Sequence, residues 1–111
     1  MDCLFCQIAA GDIPAEVVFS DAEVLAFADI SPMAPTHLVV IPRVHYATVS
    51  DLSSEHPILA GRILDVMSQL GDERAPDGYR LVFNTGPDAG QSVQHVHGHV
   101  LAGRHLGWPP G

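Results

Sequence analysis

Three of the chain's seven histidines fall at alternate positions in the run His95, Val96, His97, Gly98, His99, Val100, Leu101. An extended chain sends alternate side chains to one face, about 6.5–7 Å apart, so the spacing predicts three imidazoles lining one side of a strand. Such a trio fills a core badly, because each ring has two nitrogens that need partners and neighbouring charges repel. Two chemistries use it. His95, His97 and His99 could converge on zinc and leave a position open for water, as in a metalloenzyme. Alternatively, a neutral imidazole attacks an acyl or phosphoryl centre while its neighbours orient it and donate to the reacting group. The preceding loop favours phosphorus: Asn84, Gly86, Gly90 and Ser92 offer an amide, backbone N–H groups and a hydroxyl suited to an anion.

The elements that must position these residues are legible in outline. Residues 3–10 read as a short helix ended by Gly11 and Pro14. Strands are expected over 16–19 and 24–28 around a polar turn, and over the apolar run 38–41, which suits a strand buried on both faces. A proline-punctuated loop spans 29–35. Ser53 or Ser54 with Glu55 and Pro57 marks a helix start, and Ile58, Leu59, Ile63, Val66, Met67 and Leu70 recur at helical spacing up to Gly71, giving one long helix. Strands over 79–83 and 93–101 follow, then an extended tail, 102–111. No repeat or linker interrupts the chain, so 1–111 is expected to be a single domain.

The 111 residues, 47% apolar and 16% charged, describe a globular chain with a limited core, for which a partner subunit or a bound metal would add support. Five basic against 13 acidic residues give a net charge of −8, which excludes general nucleic-acid binding while leaving room for a single nucleotide. No segment resembles a membrane span or a signal peptide, so no membrane partner and a cytoplasmic location are expected. There, Cys3 and Cys6, spaced C-x-x-C, are thiols or metal ligands sooner than a disulfide.

The segment 90–101 resembles the H-φ-H-φ-H-φ-φ signature (φ apolar) of the histidine-triad (HIT) hydrolases. Phe27-Ala28-Asp29-Ile30-Ser31-Pro32, Ala34-Pro35-Thr36-His37, Val40-Ile41-Pro42 and the ending Trp108-Pro109-Pro110-Gly111 look like its HINT branch. The resemblance covers nearly the whole chain. It implies an α+β protomer with a roughly five-stranded antiparallel sheet, one long and one short helix, and a sheet continued across a homodimer. It also implies hydrolysis of adenosine 5′-phosphoramidates and related adenylates through a nucleotidylated histidine, with a purine nucleotide as ligand and no metal required for catalysis. By the same resemblance His97 is the nucleophile, His99 and Ser92 contact the phosphate and the leaving-group side, His95 orients the nucleophile, and His37 joins the histidine hydrogen-bond chain. Asp29 and Ile30 would hold ribose and base, Asn84 with the Gly90, Gln91 and Ser92 backbone would cradle the phosphate, and Trp108 would lie near the partner's site. A nucleotide-binding adaptor without catalytic purpose is the alternative from another class.

Cys3, Cys6 and His45, completed by His95, resemble the zinc site of bacterial members of that family, and two thiols with two imidazoles suit a closed structural site. The alternative is a pair of free thiols with His45 merely ending a strand. His56 and His105 receive no role. Gly98 departs from the family pattern, which has a bulky apolar residue there. The expectation is thin packing behind the triad, such that Gly98→Leu raises stability.

Overall fold

A computed structural model describes residues 3–111. Five strands, β1 (Val17–Ser20), β2 (Val24–Ala28), β3 (Thr36–Pro42), β4 (Tyr79–Phe83) and β5 (Gly98–Ala102), form one antiparallel sheet in the order β1-β2-β3-β5-β4. Helix α1 (Leu4–Ala9) precedes the sheet, and helices α2 (Val49–Glu55) and α3 (Pro57–Arg74) lie between β3 and β4. The α+β architecture and the number of strands are as expected.

Side-chain alternation divides the sheet into two faces. Val24, Ala26, Leu38, Val40 and Val100 face α2 and α3, where they pack on Leu52, Leu59, Ile63, Val66, Met67 and Leu70. Leu25, Phe27, Val39 and Ile41 face the other way and gather around Phe5 of α1. This explains the unbroken apolar run of β3: both of its faces are covered. His99, paired with Val39 on one side and Val82 on the other, is central in the sheet.

Three boundaries differ from the sequence reading by more than two residues. The long helix does not begin at Ser53 or Ser54. Those residues belong to α2, which Thr48 caps by accepting from the Asp51 N–H at 3.1 Å. Pro57 disfavours helical geometry at the preceding residue, so His56 breaks the chain (φ −143°, ψ 70°) and α3 starts afresh with proline in its first turn. His56, left without a role above, accepts the Leu59 N–H on Nδ1 at 3.2 Å and so caps α3. Gly71 does not end α3, which continues to Arg74. A Cβ there would lie 2.6 Å from the Tyr79 ring, so the glycine admits a neighbour and does not mark a stop.

The third boundary bears on the site. The last strand starts at Gly98, not at residue 93, because β3 pairs with β5 no further than Val40↔Gly98 and β4 no further than Phe83↔Gly98. Before that point the chain leaves the ladder, and the Val96 N–H bonds instead to the Tyr46 carbonyl at 2.7 Å. Gly98 itself corrects the packing expectation. A Cβ at this position would run into Sδ and Cε of Met67 and come within 3.0 Å of the Phe83 ring. The space behind the triad is filled, and a leucine there overpacks it.

Candidate active site

His97 and His99 turn the same way, ring centroids 5.0 Å apart, and His99 stacks onward to His37 at 5.1 Å. His95 and His97 both precede the strand, and His95 turns its ring toward Cys3, Cys6 and His45, so the three imidazoles do not share one face as strict alternation required, and they do not converge on one metal. The zinc reading of His95, His97 and His99 is thereby overturned. The row that forms instead is His97, His99, His37.

Hydrogen bonds fix the tautomers. Nδ1–H of His97 donates to the His95 carbonyl oxygen at 2.8 Å, which leaves the Nε2 lone pair bare. The contact of His95 with the His97 ring thus runs through its main chain and not through its imidazole. The Met33 N–H donates to His37 Nδ1 at 3.0 Å, so the His37 proton sits on Nε2 and is donated to His99 Nδ1 at 2.9 Å. His99 consequently carries its own proton on Nε2. Asp29 Oδ2 lies 3.5 Å from His37 Nε2, and Asp29 Oδ1 accepts the Ser31 N–H at 2.8 Å. Arg104 grips the other side of Met33, donating from Nη2 to its carbonyl at 3.0 Å.

Burial favours neutral rings. It lowers the pKa of His97, against the opposing effects of the bond to the His95 carbonyl and of Asp29. Burial, with repulsion from His97 and His37 behind it, brings His99 down to about 4. The mutual repulsion expected from the sequence is present, but desolvation comes first.

The His95 ring belongs to a second cluster. Its Nε2–H donates to the Pro42 carbonyl at 2.8 Å, which bares Nδ1. That atom lies 3.3 Å from Cys3 Sγ, 3.5 Å from Cys6 Sγ and 3.2 Å from His45 Nδ1, and Cys6 Sγ lies 3.4 Å from His45 Nδ1. Tetrahedral zinc with bonds of about 2.0–2.3 Å separates its ligand atoms by roughly 3.3–3.8 Å, so the four donors match that ion's geometry. The bond from His95 to Pro42 is the outer-shell support such a ligand requires. Asp29, His37 and His99 also bring three donor atoms within 4.8 Å of one another. Their proton pattern is wrong for a cation, because the Met33 N–H obliges His37 to keep a proton on the nitrogen that would have to ligate.

A cavity of about 320 Å³ opens in front of His97 and His99. Phe5, Ile8, Phe27, Val39 and Val93 give it apolar walls, Asp29 and Ser92 stand beside the two histidines, and Ile30, 97% exposed, is at its mouth. Other expected ligands are placed differently. Gly90 N–H and Gln91 N–H are spent inside the loop on the Pro87 and Gly86 carbonyls at 3.1 Å each, so they do not form the expected cradle. The Gln91 side chain braces the same loop, accepting from the Gly86 N–H and donating to the Ala47 and Val93 carbonyls. Ser92 lines the cavity. Asn84, just past the end of β4, and Trp108, 83% exposed in the tail, do not line the cavity. A larger groove of about 690 Å³, between 74–80 and 103–106, holds three arginines and no residue of the triad. The sequence reading missed Phe5, Met33 and Arg104. Phe5 lies within the C-x-x-C segment, but a main-chain N–H and a grip on a carbonyl leave no mark on residue type.

A sequence model of the HIT domain matches residues 10–106. The purine nucleoside phosphoramidase of Escherichia coli K12 is 44% identical over 108 residues, covering 96% of this chain and 91% of that protein. A HIT family hydrolase from Legionella pneumophila Philadelphia 1 superposes with a TM-score of 0.95 at 49% identity, over 99% of this chain and 100% of that one. A histidine triad nucleotide-binding protein from Candida albicans does so with a TM-score of 0.80 at 32% identity, over 97% and 83% of the two chains.

Proposed function

The chain belongs to the histidine-triad (HIT) family, and from that premise we propose that it hydrolyses purine nucleoside 5′-phosphoramidates and related adenylates through a nucleotidyl intermediate on His97. The observation that carries this reading is the 2.8 Å bond from His97 Nδ1–H to the His95 carbonyl, which leaves Nε2 unprotonated beside a nucleotide-sized cavity. The 44% identity to a purine nucleoside phosphoramidase supports the substrate class.

In the first step His97 Nε2 forms a bond to phosphorus, the P–N bond breaks, and the amine departs with a proton from solvent. In the second, water attacks phosphorus, the N–P bond breaks, the nucleoside monophosphate leaves, and the proton returns to solvent. Splitting the displacement in this way lowers each barrier. His99 Nε2–H and Ser92 donate to the phosphoryl oxygens, where charge grows in both transition states. Asp29 accepts from the ribose diol, and Ile30 covers the base. The chain's own imidazoles carry both steps.

Cys3, Cys6, His45 and His95 would hold a structural zinc, which when bound supplies a cross-link between the N-terminus and the catalytic segment. The homodimer belongs to the same reading. β4 is an edge strand whose outer ladder is open to a second copy, and the exposed Trp108 is free to reach that copy's site.

Intact-mass measurement after acid quenching with an adenosine phosphoramidate tests the mechanism. We expect an added nucleotide mass on the wild type and none on His97→Ala, which still binds AMP. Turnover retained by His97→Ala would overturn the nucleotidyl intermediate on His97, and a wild type that binds AMP without consuming the phosphoramidate would favour the adaptor.

A further inference from the structure

Helix α1 has six residues, too few to be stable alone in water, and Phe5 is its one buried residue. The Phe5 ring meets three others edge to face: Phe27 at 5.6 Å, His95 at 6.0 Å, and His97 at 4.9 Å with planes 80° apart. The bond from His97 Nδ1–H to the His95 carbonyl pins one corner of the imidazole but leaves it free to tilt about that bond. Phe5 supplies the second constraint. The same short segment sends Cys3 and Cys6 to the cluster with His95, and Leu4, Phe5 and Ile8 to the cavity wall. At the far end of α1, Arg43 Nη1 donates to the Ala9 carbonyl at 2.9 Å.

We infer that Phe5 is a positioning residue for the nucleophile, and that Cys3 and Cys6, anchored with His45 and His95, hold Phe5 against the His97 ring and keep the apolar wall of the nucleotide cavity in place. The anchoring half rests on the zinc site proposed above; the positioning half does not. An edge-to-face contact between an aromatic ring and an imidazole restrains tilt in a way that an aliphatic side chain of similar bulk cannot.

Phe5→Leu keeps an apolar side chain and removes the ring. With an adenosine 5′-phosphoramidate we expect kcat to fall about tenfold or more, since a misplacement of about 1 Å costs on the order of a hundredfold, while KM, which feels the lost wall contact, changes by less than kcat does. The His97 ring-nitrogen resonances should broaden or move while those of His56 and His105 stay, and Phe5→Tyr should recover most of the loss. A kcat within about twofold of wild type with unmoved His97 resonances overturns the positioning role. Should the leucine variant fail to fold, Phe5→Met is read in the same way.

The anchor is tested by AMP affinity of the wild-type chain before chelation, after it, and after zinc is restored. We expect affinity to weaken about fivefold on removal and to recover on addition. Unchanged affinity on loss of bound zinc overturns the anchor alone. A chain that neither contains nor takes up zinc refutes both the zinc site and the anchor, and leaves Phe5 to be judged by the leucine variant.

Discussion

A single main-chain N–H, that of Met33, sets the protonation of half the site. By donating to His37 Nδ1 it places one proton on His37 Nε2 and, through the next bond, one on His99 Nε2. His99 is thus a donor that resists a second proton, and its pKa of about 4 has a consequence for stability. The unfolded chain takes up that proton near the ordinary histidine value of about 6.5, where the folded chain refuses it. The contribution of His99 is therefore intact above pH 6.5 and lost progressively as pH falls from 6.5 to about 4. Urea unfolding across this window should show a steeper acid loss for the wild type than for His99→Gln. Parallel curves would mean that His99 is not the group responsible.

At the scale of elements, two devices invisible to hydrophobic periodicity hold the helical layer. His56 closes α2 with its main-chain N–H and caps α3 with its side chain, so His56→Ala should cost about 1 kcal/mol, as other caps do, and leave turnover unchanged. Equilibrium unfolding decides this, and an unaltered midpoint would show that the proline alone sets the start of α3. Gly98 lets the Met67 thioether reach the back of β5, directly behind the catalytic strand. Gly98→Leu should therefore destabilise by about 1–3 kcal/mol, the usual cost of overpacking. A raised melting midpoint would instead mean that Met67 swings aside freely. The last strand begins only at Gly98 and so carries just His99 of the three histidines, since hydrogen-bonded neighbours end there on both sides, and the segment before it is free to send His95 and His97 in different directions.

Over the whole molecule, the first few residues and the catalytic segment, some 90 positions apart in sequence, share one four-donor cluster. A small core gains disproportionately from such a cross-link, so removing zinc should lower the melting midpoint by about 5 °C or more, with recovery on re-addition. A midpoint indifferent to a chelator would count against a bound metal. No helix among the described residues is long and apolar enough to cross a membrane. Residue types and their order were enough to read the histidine run, the C-x-x-C pair, the two-faced β3 and the α+β class, because these follow from side-chain chemistry and from periods of two and 3.6 residues. The cavity was out of reach, as its walls come from α1, β2, β3 and the loop before β5, which meet only in space. So were the tautomers of His37, His97 and His99, since the partners that set them are a main-chain N–H and carbonyl oxygen, groups that nearly every residue carries and only a folded backbone can aim.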